Sequence, residues 1–394
     1  MAVTAVGVCS PLGVDADETW RHLLAGETHG FRLAHWPDGG DPGWPDVAGF
    51  RAAAVDDTAL ARITGPGGAS VTRASRLTLA AAVDAWPGGL PRGLDRDRVG
   101  VVFGASKPDL AALAAAGLAA WPAAPASLLA AEFGLAGPCS APAAACASGV
   151  VACLRGADLI AEGVCDAVLV GAVDASIHPA VLASFARLGV TSRERAGRPA
   201  GVRPLDVTRD GFLVGEGAAV LVLEAESSAC ARSAEPLAWL LGGASLSGAG
   251  DLVRLDRSAG TLTRVLSAAV SDAGLTPGLI DLVGLHATAT VDNDRVESEA
   301  CRSVFGRTPP VCAQKGALGH LLGASSAVES ALLVRALAAG RVPPTAGTGR
   351  PDPELGLTIA STRGNPPAER VLKISAGFGG VFAAAVWGRG GQER

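Results

Sequence analysis

The chain has 394 residues, of which 49% are hydrophobic and 18% are charged, with a formal net charge of −5. This length suits two or three ordinary domains or one large duplicated fold. The acidic balance argues against a nucleic-acid partner, which usually requires a basic domain. We predict no signal peptide and no membrane span, because no basic region precedes the apolar start and no uncharged apolar run is long enough.

The strand-like runs of the chain are apolar and nearly continuous, and Ala-rich stretches lie between them. In chain order, strands are predicted at Val3–Val8, Val99–Phe103, Ala167–Val173, Ala218–Leu223, Leu282–His286, and from Leu372 onward into Ala383–Trp387. The stretches Leu77–Trp86 and Gly260–Ala273 are typical of helices. This alternation predicts an α/β fold, with a mostly parallel sheet that helices cover on both faces.

The two halves of the sequence echo each other. Cys146 precedes an apolar stretch that ends near Gly163, and His320 precedes a similar stretch that ends near Gly340. In each half a glycine turn and a strand come later, and a more polar connection lies at residues 225–240. We therefore predict a duplicated α/β unit with an N-terminal half of residues 1–230 and a C-terminal half of residues 231–394.

The eight cysteines of the chain include no CxxC pair. The spacing of Cys139, Cys146 and Cys153 is wider than the close ligand pairs of zinc sites, so no metal is expected. Without a signal peptide, most of the thiols should be reduced and buried, and the cytoplasm is the predicted location.

Cys146 is the candidate nucleophile. It lies in the small-residue segment Ala144–Gly149, just before an apolar helix. The positive end of a helix lowers a thiol pKa from about 8.5, which produces a nucleophile at neutral pH. The alternative is that Cys146 is one more small buried residue.

Two of the six histidines lie where they could serve such a nucleophile. His286 ends a predicted strand and is followed by the hydroxyls of Thr288 and Thr290, a position over the crevice at the carboxyl end of a sheet. His320 precedes a predicted helix. The alternative for each histidine is a packed or capping residue.

Lysine is rare in this chain. Of 33 basic residues only Lys107, Lys315 and Lys373 are lysines. A lysine five residues before His320 indicates a need for a compact ammonium, which the planar fork of arginine does not supply. The alternative is that Lys315 is a surviving surface lysine.

Five segments, in this order along the chain, make it similar to beta-ketoacyl-[acyl carrier protein] synthases of the I/II type, in the thiolase-like superfamily. They are Gly137–Gly149, Arg203–Gly217, His286–Asp294, Lys315–Glu329 and Gly377–Gly380. A single motif of this kind is weak, whereas five at similar spacing are specific, and the resemblance covers nearly the whole chain. It implies a duplicated αβαβα five-layer fold with two mixed, mostly parallel sheets.

The resemblance also implies a two-step reaction without a cofactor. The thiolate of Cys146 takes an acyl group from the phosphopantetheine arm of an acyl carrier protein. Malonyl-carrier protein then binds, loses CO₂, and the resulting carbanion joins the acyl group. The resemblance implies that His286 and His320 support decarboxylation and that Lys315 and Glu329 form a charged pair behind them. It implies that the backbone N–H groups of Cys146 and Phe378 form an oxyanion hole and that Phe378 is also an aromatic gate. By the same resemblance Thr288 and Thr290 hold pantetheine, and Arg73 and Arg76 dock the carrier protein. For the two arginines a solvated helix face is the alternative.

The chain departs from the family pattern around the acyl pocket. Ala287 and Ala289 stand where the family has glycine or serine, Ala376 replaces a phenylalanine of the gate, and Lys107 lies in a turn that is usually glycine-rich and apolar. These departures favour a specialised type II polyketide or fatty-acid-like pathway. A homodimer and a heterodimer with a chain-length-factor-like subunit both remain open.

Three rival functions remain to be weighed. Primary fatty-acid elongation is one alternative, and a mainly non-catalytic, chain-length-factor-like subunit is another, although Cys146 argues against the latter. A degradative thiolase or a type III synthase would carry a second Cys or an Asn in place of His320.

Overall fold

The computed structural model describes residues 1–28, 32–33, 50–68, 71–195, 197–250, 258–360 and 367–391. Its strands are β1 (Ala2–Cys9), β2 (Arg32–Leu33), β3 (Arg51–Ala52), β4 (Val99–Ala105), β5 (Cys139–Ser140), β6 (Ala167–Asp174), β7 (Gly217–Glu224), β8 (Ala238–Ser247), β9 (Leu282–Gly284), β10 (Val311–Cys312), β11 (Arg370–Gly377) and β12 (Val381–Gly388). Its α-helices are α1 (Ala16–Leu24), α2 (Asp57–Leu60), α3 (Arg73–Ala85), α4 (Leu113–Ala116), α5 (Ala124–Phe133), α6 (Ser148–Ala161), α7 (Pro179–Arg187), α8 (Glu226–Ala231), α9 (Gly260–Asp272), α10 (Val291–Phe305), α11 (Lys315–Leu318) and α12 (Ser325–Ala339).

Ten strands form one mixed sheet in the order β10-β9-β11-β12-β8-β1-β7-β6-β4-β5, and β2 pairs with β3 separately. From the centre outward, the N-terminal half has the order β1-β7-β6-β4-β5 and the C-terminal half has the order β8-β12-β11-β9-β10. When the five strands of each half are numbered along the chain, both halves have the order first, fifth, fourth, second, third. The parallel and antiparallel pairings also repeat between the halves. The α/β class and the mixed sheet are confirmed, and the repeated topology is that of a duplicated unit. The boundary between residues 230 and 231 stays a prediction.

Two details of the predicted sheet are wrong. The halves are joined into one sheet, because β1 and β8 pair antiparallel at Ala2↔Trp239 and Val3↔Ala238. Five neighbouring pairs of this sheet are antiparallel and four are parallel among the described strands. The short Phe378–Gly380 turn between β11 and β12 shows one cause, since a tight turn can join only antiparallel strands.

Helices lie in three layers, one on the outer face of each half of the sheet and one between the halves, so that these layers and the two halves of the sheet make five layers in all. Helices α3 and α5 pack on the outer face of the N-terminal half, and α9 packs on that of the C-terminal half with α10 beside it. Helices α6 and α12 lie between the halves and contribute to the central core. This central pair carries the site, because α6 begins beside Cys146 and α12 begins just after His320.

Helix α12 is apolar enough to raise the question of a membrane span. Residues 322–339 meet the length and hydropathy of a spanning helix, but 83% of that stretch is buried inside the protein. Residues 113–120 and 124–133 qualify only when they are joined across a 60° bend. Burial on all sides is typical of a core helix, so α12 is not evidence of a membrane partner.

The contact between α6 and α12 depends on Gly149. A Cβ atom at Gly149 would lie 2.3 Å from the Ala327 nitrogen, and the Ser326 hydroxyl accepts the Gly149 N–H at 3.0 Å. The two helices therefore approach closely at the ends that carry the site. Only a residue without a side chain fits there.

We expect Gly149→Ala to lower the free energy of unfolding by about 1–3 kcal/mol, because backbone atoms must shift to admit the methyl group. Gly278→Ala is the matched control, since no atom lies within 4 Å of its Cβ position. Urea denaturation of both variants measures the difference. Equal stability of Gly149→Ala and the control would contradict the packing argument.

Candidate active site

Cys146 lies at the turn that starts α6. It belongs to the 3₁₀ turn Ala145–Ala147, where Ala145 has a φ of +47°. Its side chain is 4% exposed, and its Sγ lies 3.4 Å from Nε2 of His320. The predicted nucleophile and one predicted histidine are therefore in direct contact.

The environment of Cys146 does not lower the pKa of its thiol. Burial raises the pKa of this thiol to about 11, and Asp174 and Glu329 add to the rise. The charges of Lys315 and Lys107 oppose it, but burial dominates. The expectation of a lowered pKa is therefore wrong for the resting site, whose thiol holds its proton at neutral pH. That proton has to leave the sulfur before or during its attack on a substrate.

His320 is oriented by its other ring nitrogen. Nδ1 accepts the backbone N–H of Leu322 at 3.2 Å and contacts the Ser325 hydroxyl at 2.8 Å. A nitrogen that accepts a backbone N–H carries no proton, so the proton of the neutral ring is assigned to Nε2. The Nε2–H of His320 therefore points toward Cys146.

His286 has the same tautomer through a different partner. Its Nδ1 lies 3.3 Å from the ammonium of Lys315, which can only donate. The two imidazole rings are 5.3 Å apart and nearly perpendicular. Burial lowers the pKa of both histidines well below the usual value, and the charge of Lys315 lowers it further. Two neutral imidazoles thus present Nε2–H donors to one small volume.

The donor set of this volume also resembles a metal site. One ligand atom from each of Cys146, His286 and His320 lies within 4.8 Å of the others. A metal on Nε2 would require the proton on Nδ1, and good sites fix that tautomer with an acceptor. Here both Nδ1 atoms face donors. The arrangement suits proton donation to an oxygen anion better than metal binding.

Glu329 lies between two buried lysines. Its Oε1 is 2.6 Å from Nζ of Lys315, and its Oε2 is 2.6 Å from Nζ of Lys373. The contact between Lys315 and Glu329 has the geometry expected of the predicted charged pair. Lys373 is a part of this cluster that the sequence analysis counted as a lysine but did not place.

Glu297 is a second carboxylate that the sequence analysis missed. It is fully buried and accepts the backbone N–H groups of His286 and Ala287, at 2.5 and 2.6 Å. Burial raises its pKa, although these hydrogen bonds oppose the rise. Glu297 therefore fixes the backbone that carries His286. In the sequence, Glu297 lies three residues after Asp294 and two before Glu299, so nothing distinguished it from a surface carboxylate.

Lys107 is engaged with Asp174. Its ammonium lies 2.9 Å from the Asp174 carboxylate and 2.7 Å from the Ser176 hydroxyl, and the hydroxyls of Ser106 and Ser176 also donate to that carboxylate. Asp174 further accepts the N–H of Gly323. The unusual turn therefore holds a partly buried ion pair near the nucleophile, and the charges of both partners act on the pKa of the Cys146 thiol.

Phe378 lies close to the nucleophile turn. A Cβ at the neighbouring Gly377 would lie 2.8 Å from the Ala144 carbonyl oxygen and 3.4 Å from the Cys146 nitrogen. This close approach brings together the segments that carry the two predicted oxyanion-hole N–H groups. The half-buried ring of Phe378 packs against Phe185, with ring centroids 5.8 Å apart.

Thr288 and Thr290 lie beside the histidines. Their hydroxyl oxygens are 2.9 Å apart, and the Thr290 hydroxyl also caps α10. Ala287 and Ala289 have φ values of +34° and +60°, a region that glycine adopts more easily. The chain therefore keeps the backbone shape of a glycine segment with alanines, and the surrounding packing holds the strain.

The two arginines predicted to dock a carrier protein differ. Arg73 binds both carboxylate oxygens of the buried Glu216, at 2.7 and 2.5 Å, and also pairs with Asp57. The guanidinium of Arg73 therefore holds α3 to the core, and because 32% of its side chain is exposed, its docking role stays a prediction. Arg76 is half-buried, and its docking role stays a prediction.

The family models matched by the chain agree with this geometry. Residues 1–229 match "Beta-ketoacyl synthase, N-terminal domain" and residues 237–348 match "Beta-ketoacyl synthase, C-terminal domain". The 3-oxoacyl-[acyl-carrier-protein] synthase 2 of Mycobacterium bovis is 39% identical over 251 residues, which is 63% of this chain. That alignment spans 60% of the relative's length. A Streptomyces halstedii protein with the provisional name polyketide beta-ketoacyl synthase 1 is 32% identical, over 98% of this chain and 97% of that one.

Two solved structures have the same overall fold. One is a type II polyketide synthase acyl-carrier protein in complex with its ketosynthase bound to the hexaketide, with a TM-score of 0.86 and 26% identity. It covers 100% of this chain and 99% of the other. The second is the ishigamide ketosynthase/chain length factor, with a TM-score of 0.85, 28% identity and 99% coverage of both chains. The predicted duplicated fold is confirmed by these similarities.

Proposed function

Because the chain belongs to the beta-ketoacyl synthase family, we propose that it forms carbon–carbon bonds by decarboxylative Claisen condensation of malonyl-carrier protein with an acyl group held on Cys146. One observation carries the proposal. A buried thiol and two neutral Nε2–H donors, from His286 and His320, meet in one small volume. This is the equipment that acyl transfer followed by an enolate intermediate requires.

In the first step the Cys146 sulfur attacks the thioester carbonyl of acyl-carrier protein. The new C–S bond replaces the bond to phosphopantetheine, and the thiol proton of Cys146 ends on the departing pantetheine thiol. No proton is gained or lost overall, so a resting thiol with a raised pKa is compatible with the step. The N–H groups of Cys146 and Phe378 stabilise the tetrahedral oxyanion.

In the second step malonyl-carrier protein loses CO₂, and the electron pair of the broken C–C bond forms a thioester enolate. The Nε2–H groups of His286 and His320 stabilise the enolate oxygen, a contribution of about 3–4 kcal/mol per well-placed donor. The enolate carbon attacks the acyl carbonyl on Cys146, and the bond from that carbon to the cysteine sulfur breaks. The thiolate that leaves takes up one proton from solvent, which restores the resting thiol. Lys315 and Glu329 keep His286 in the donating tautomer, and Thr288 and Thr290 hold the pantetheine arm.

The proposed partners are an acyl carrier protein and a second ketosynthase-like subunit. Strand β5 ends the large sheet with exposed residues, and an apolar groove of about 840 Å³ nearby is lined in part by Leu118 and Trp121. These two side chains are 75% and 55% exposed. An open sheet edge beside exposed apolar side chains favours burial by another chain. The partner is a second copy or a chain-length-factor-like subunit, and Arg76 contributes to carrier docking.

We place the enzyme in a specialised type II polyketide or fatty-acid-like pathway of the cytoplasm. Ala376 in the gate and Lys107 near the nucleophile support this choice. The similarity to a type II polyketide synthase ketosynthase and to a protein named as a polyketide beta-ketoacyl synthase also supports it. The second candidate is primary fatty-acid elongation, which the relative named 3-oxoacyl-[acyl-carrier-protein] synthase 2 favours. All eight cysteines are free thiols, as a reducing compartment requires.

Native and intact mass spectrometry test the proposal together. The protein is purified alone and with its co-expressed genomic neighbours, then incubated with acyl-carrier protein and with malonyl-carrier protein. We expect an acyl mass on the protein, its transfer to a two-carbon-longer product, and a dimer. Absence of the acyl mass would contradict the enzyme activity. A homodimer that extends ordinary saturated chains would instead favour primary fatty-acid elongation.

A further inference from the structure

All three lysines of this chain lie around the proposed site, although thirty of its 33 basic residues are arginines. Lys107 pairs with Asp174 near the nucleophile, and Lys315 contacts His286. Lys373 is the third, and neither the reaction scheme nor the family resemblance assigns it a role. Two of the three, Lys315 and Lys373, are completely or almost completely buried.

Every proton of the Lys373 ammonium has an acceptor or an opposite charge to face. Lys373 is 1% exposed and lies in the middle of β11. Its Nζ donates to the carbonyls of Leu285 at 3.1 Å and Ile374 at 2.6 Å, and lies 2.6 Å from Oε2 of Glu329. Among the described residues that oxygen has no hydrogen-bond partner of good geometry. Lys373 is therefore the cation that faces this oxygen, while Lys315 faces the other oxygen of the same carboxylate.

These three contacts join the segments that carry the proposed chemistry. Leu285 immediately precedes His286, and Ile374 lies on the strand that leads to Phe378. Glu329 holds Lys315, which in turn contacts Nδ1 of His286. In β11 Lys373 also pairs in register with Gly284 of β9, and its Cδ atom lies 3.5 Å from the Cβ position of that glycine, at ordinary contact distance. The ammonium therefore contacts all three of these segments.

We propose that Lys373 is a positioning residue for the decarboxylation step, because its ammonium fixes Glu329 and the Leu285 carbonyl and thereby holds His286 with its Nε2–H toward the substrate. The inference rests on the proposed function for its catalytic consequence. Its structural content, the control of the His286 ring, stands independently of that function.

The charges around His286 predict the direction of the effect. The ring faces Lys315 and His320, with Lys373 and Glu329 behind it, Glu297 at its backbone and the Cys146 thiol beside His320. Burial lowers the pKa of His286, and the charges of Lys315, His320 and Lys373 lower it further. Removal of the Lys373 charge should raise this pKa. As the pH falls, His286 of the variant would then become protonated at a higher pH than in the wild type. The neutral ring, in which Nε2–H donates and Nδ1 accepts, would be lost at that higher pH.

The test uses Lys373→Met, which removes the ammonium. If this variant folds poorly, Lys373→Gln replaces it, because the glutamine amide keeps a hydrogen-bond donor for the Leu285 carbonyl. Arg232→Met is the matched control. Arg232 lies in the connection between the two halves and pairs with Glu224, which is fully buried. Arg232→Met removes the cation that pairs with Glu224, and Lys373→Met leaves Glu329 with Lys315 alone, so both substitutions cost stability.

Three measurements are made on each full-length variant. They are the single-turnover transfer of an acyl group from acyl-carrier protein, the decarboxylation of malonyl-carrier protein between pH 5 and 9 (an assay range of about four units around the usual histidine pKa), and the histidine ring resonances by ¹⁵N NMR. We expect Lys373→Met to slow decarboxylation about 10–100-fold, as loss of an orienting partner does, with acyl transfer and KM little changed. The acid limb of its pH profile for decarboxylation should move to higher pH, and the pKa of His286 should rise. Arg232→Met should change neither.

The outcomes separate the two proposals. Equal slowing of both half-reactions, with the acid limb and the His286 resonance unmoved, would overturn the role of Lys373. An active wild type is required for the first two measurements. If the wild type neither accepts an acyl group nor releases CO₂, the proposed function fails, and the NMR titration alone decides whether Lys373 controls the His286 ring.

Discussion

Cys146→Ala should acquire no acyl mass from acyl-carrier protein and should lose condensation by about four orders of magnitude or more, the scale seen when a nucleophile is removed. The reason is positional. Only Cys146 combines a place at the start of α6 with a 3.4 Å contact between its Sγ and Nε2 of His320. A thiol elsewhere cannot reach the same oxyanion donors. Intact mass spectrometry after incubation with acyl-carrier protein measures the result.

Cys230→Ala is the control for this experiment. Cys230 is an exposed thiol on α8, outside the site, so its loss should leave the acyl mass on the protein. Circular dichroism of both variants should match the wild type, because Ala fills most of the space of a buried cysteine. A Cys146→Ala protein that still gained the acyl mass would contradict the assignment of Cys146 as the nucleophile. The rival of a mainly non-catalytic subunit would then be favoured.

His286→Ala should separate the two half-reactions. We expect decarboxylation and condensation to fall by about 10²–10³-fold, the cost of one oxyanion donor. Acyl transfer to Cys146 should persist, because the oxyanion of that step faces the backbone N–H groups of Cys146 and Phe378. Release of ¹⁴CO₂ from labelled malonyl-carrier protein, together with the acyl mass on the protein, measures both steps.

His22→Ala is the matched control, since His22 is partly exposed on α1 and pairs only with Glu27 among the described residues. It should leave both half-reactions unchanged. The division of labour would be disproved if His286→Ala stopped acyl transfer as strongly as decarboxylation. In that case His286 would act on the thiol or on the oxyanion of the first step.

The strands found from the sequence are those with long apolar runs, which signal burial on both faces. Strand β8 was not predicted from the sequence, because Gly242 and Gly243 interrupt its run of apolar residues. In the structure these glycines admit neighbours, since a Cβ at Gly242 would lie 2.5 Å from the Ala273 nitrogen and one at Gly243 would lie 2.4 Å from Leu154. Strands β5 and β10 have two residues each, too few for any periodicity.

The nucleophile and the histidines were open to sequence analysis because their residue types are rare here and their motifs are specific. The structure brings Cys146, His286, His320, Lys315 and Glu329 together, as the resemblance implied. The protonation of the nucleophile was not predictable, because it depends on burial. A helix start alone suggested a lowered pKa, whereas the packed site raises it.

By itself the sequence determined the α/β class, the duplicated organisation and the residues that carry the proposed chemistry, since these depend on residue type and order along the chain. The tertiary structure alone decided that the halves share one sheet, that Arg73 holds Glu216, and that Lys373 meets Glu329. Each of these is a contact between segments that are distant in sequence. Such contacts depend on the register and packing of the sheet, which local patterns of residues do not encode.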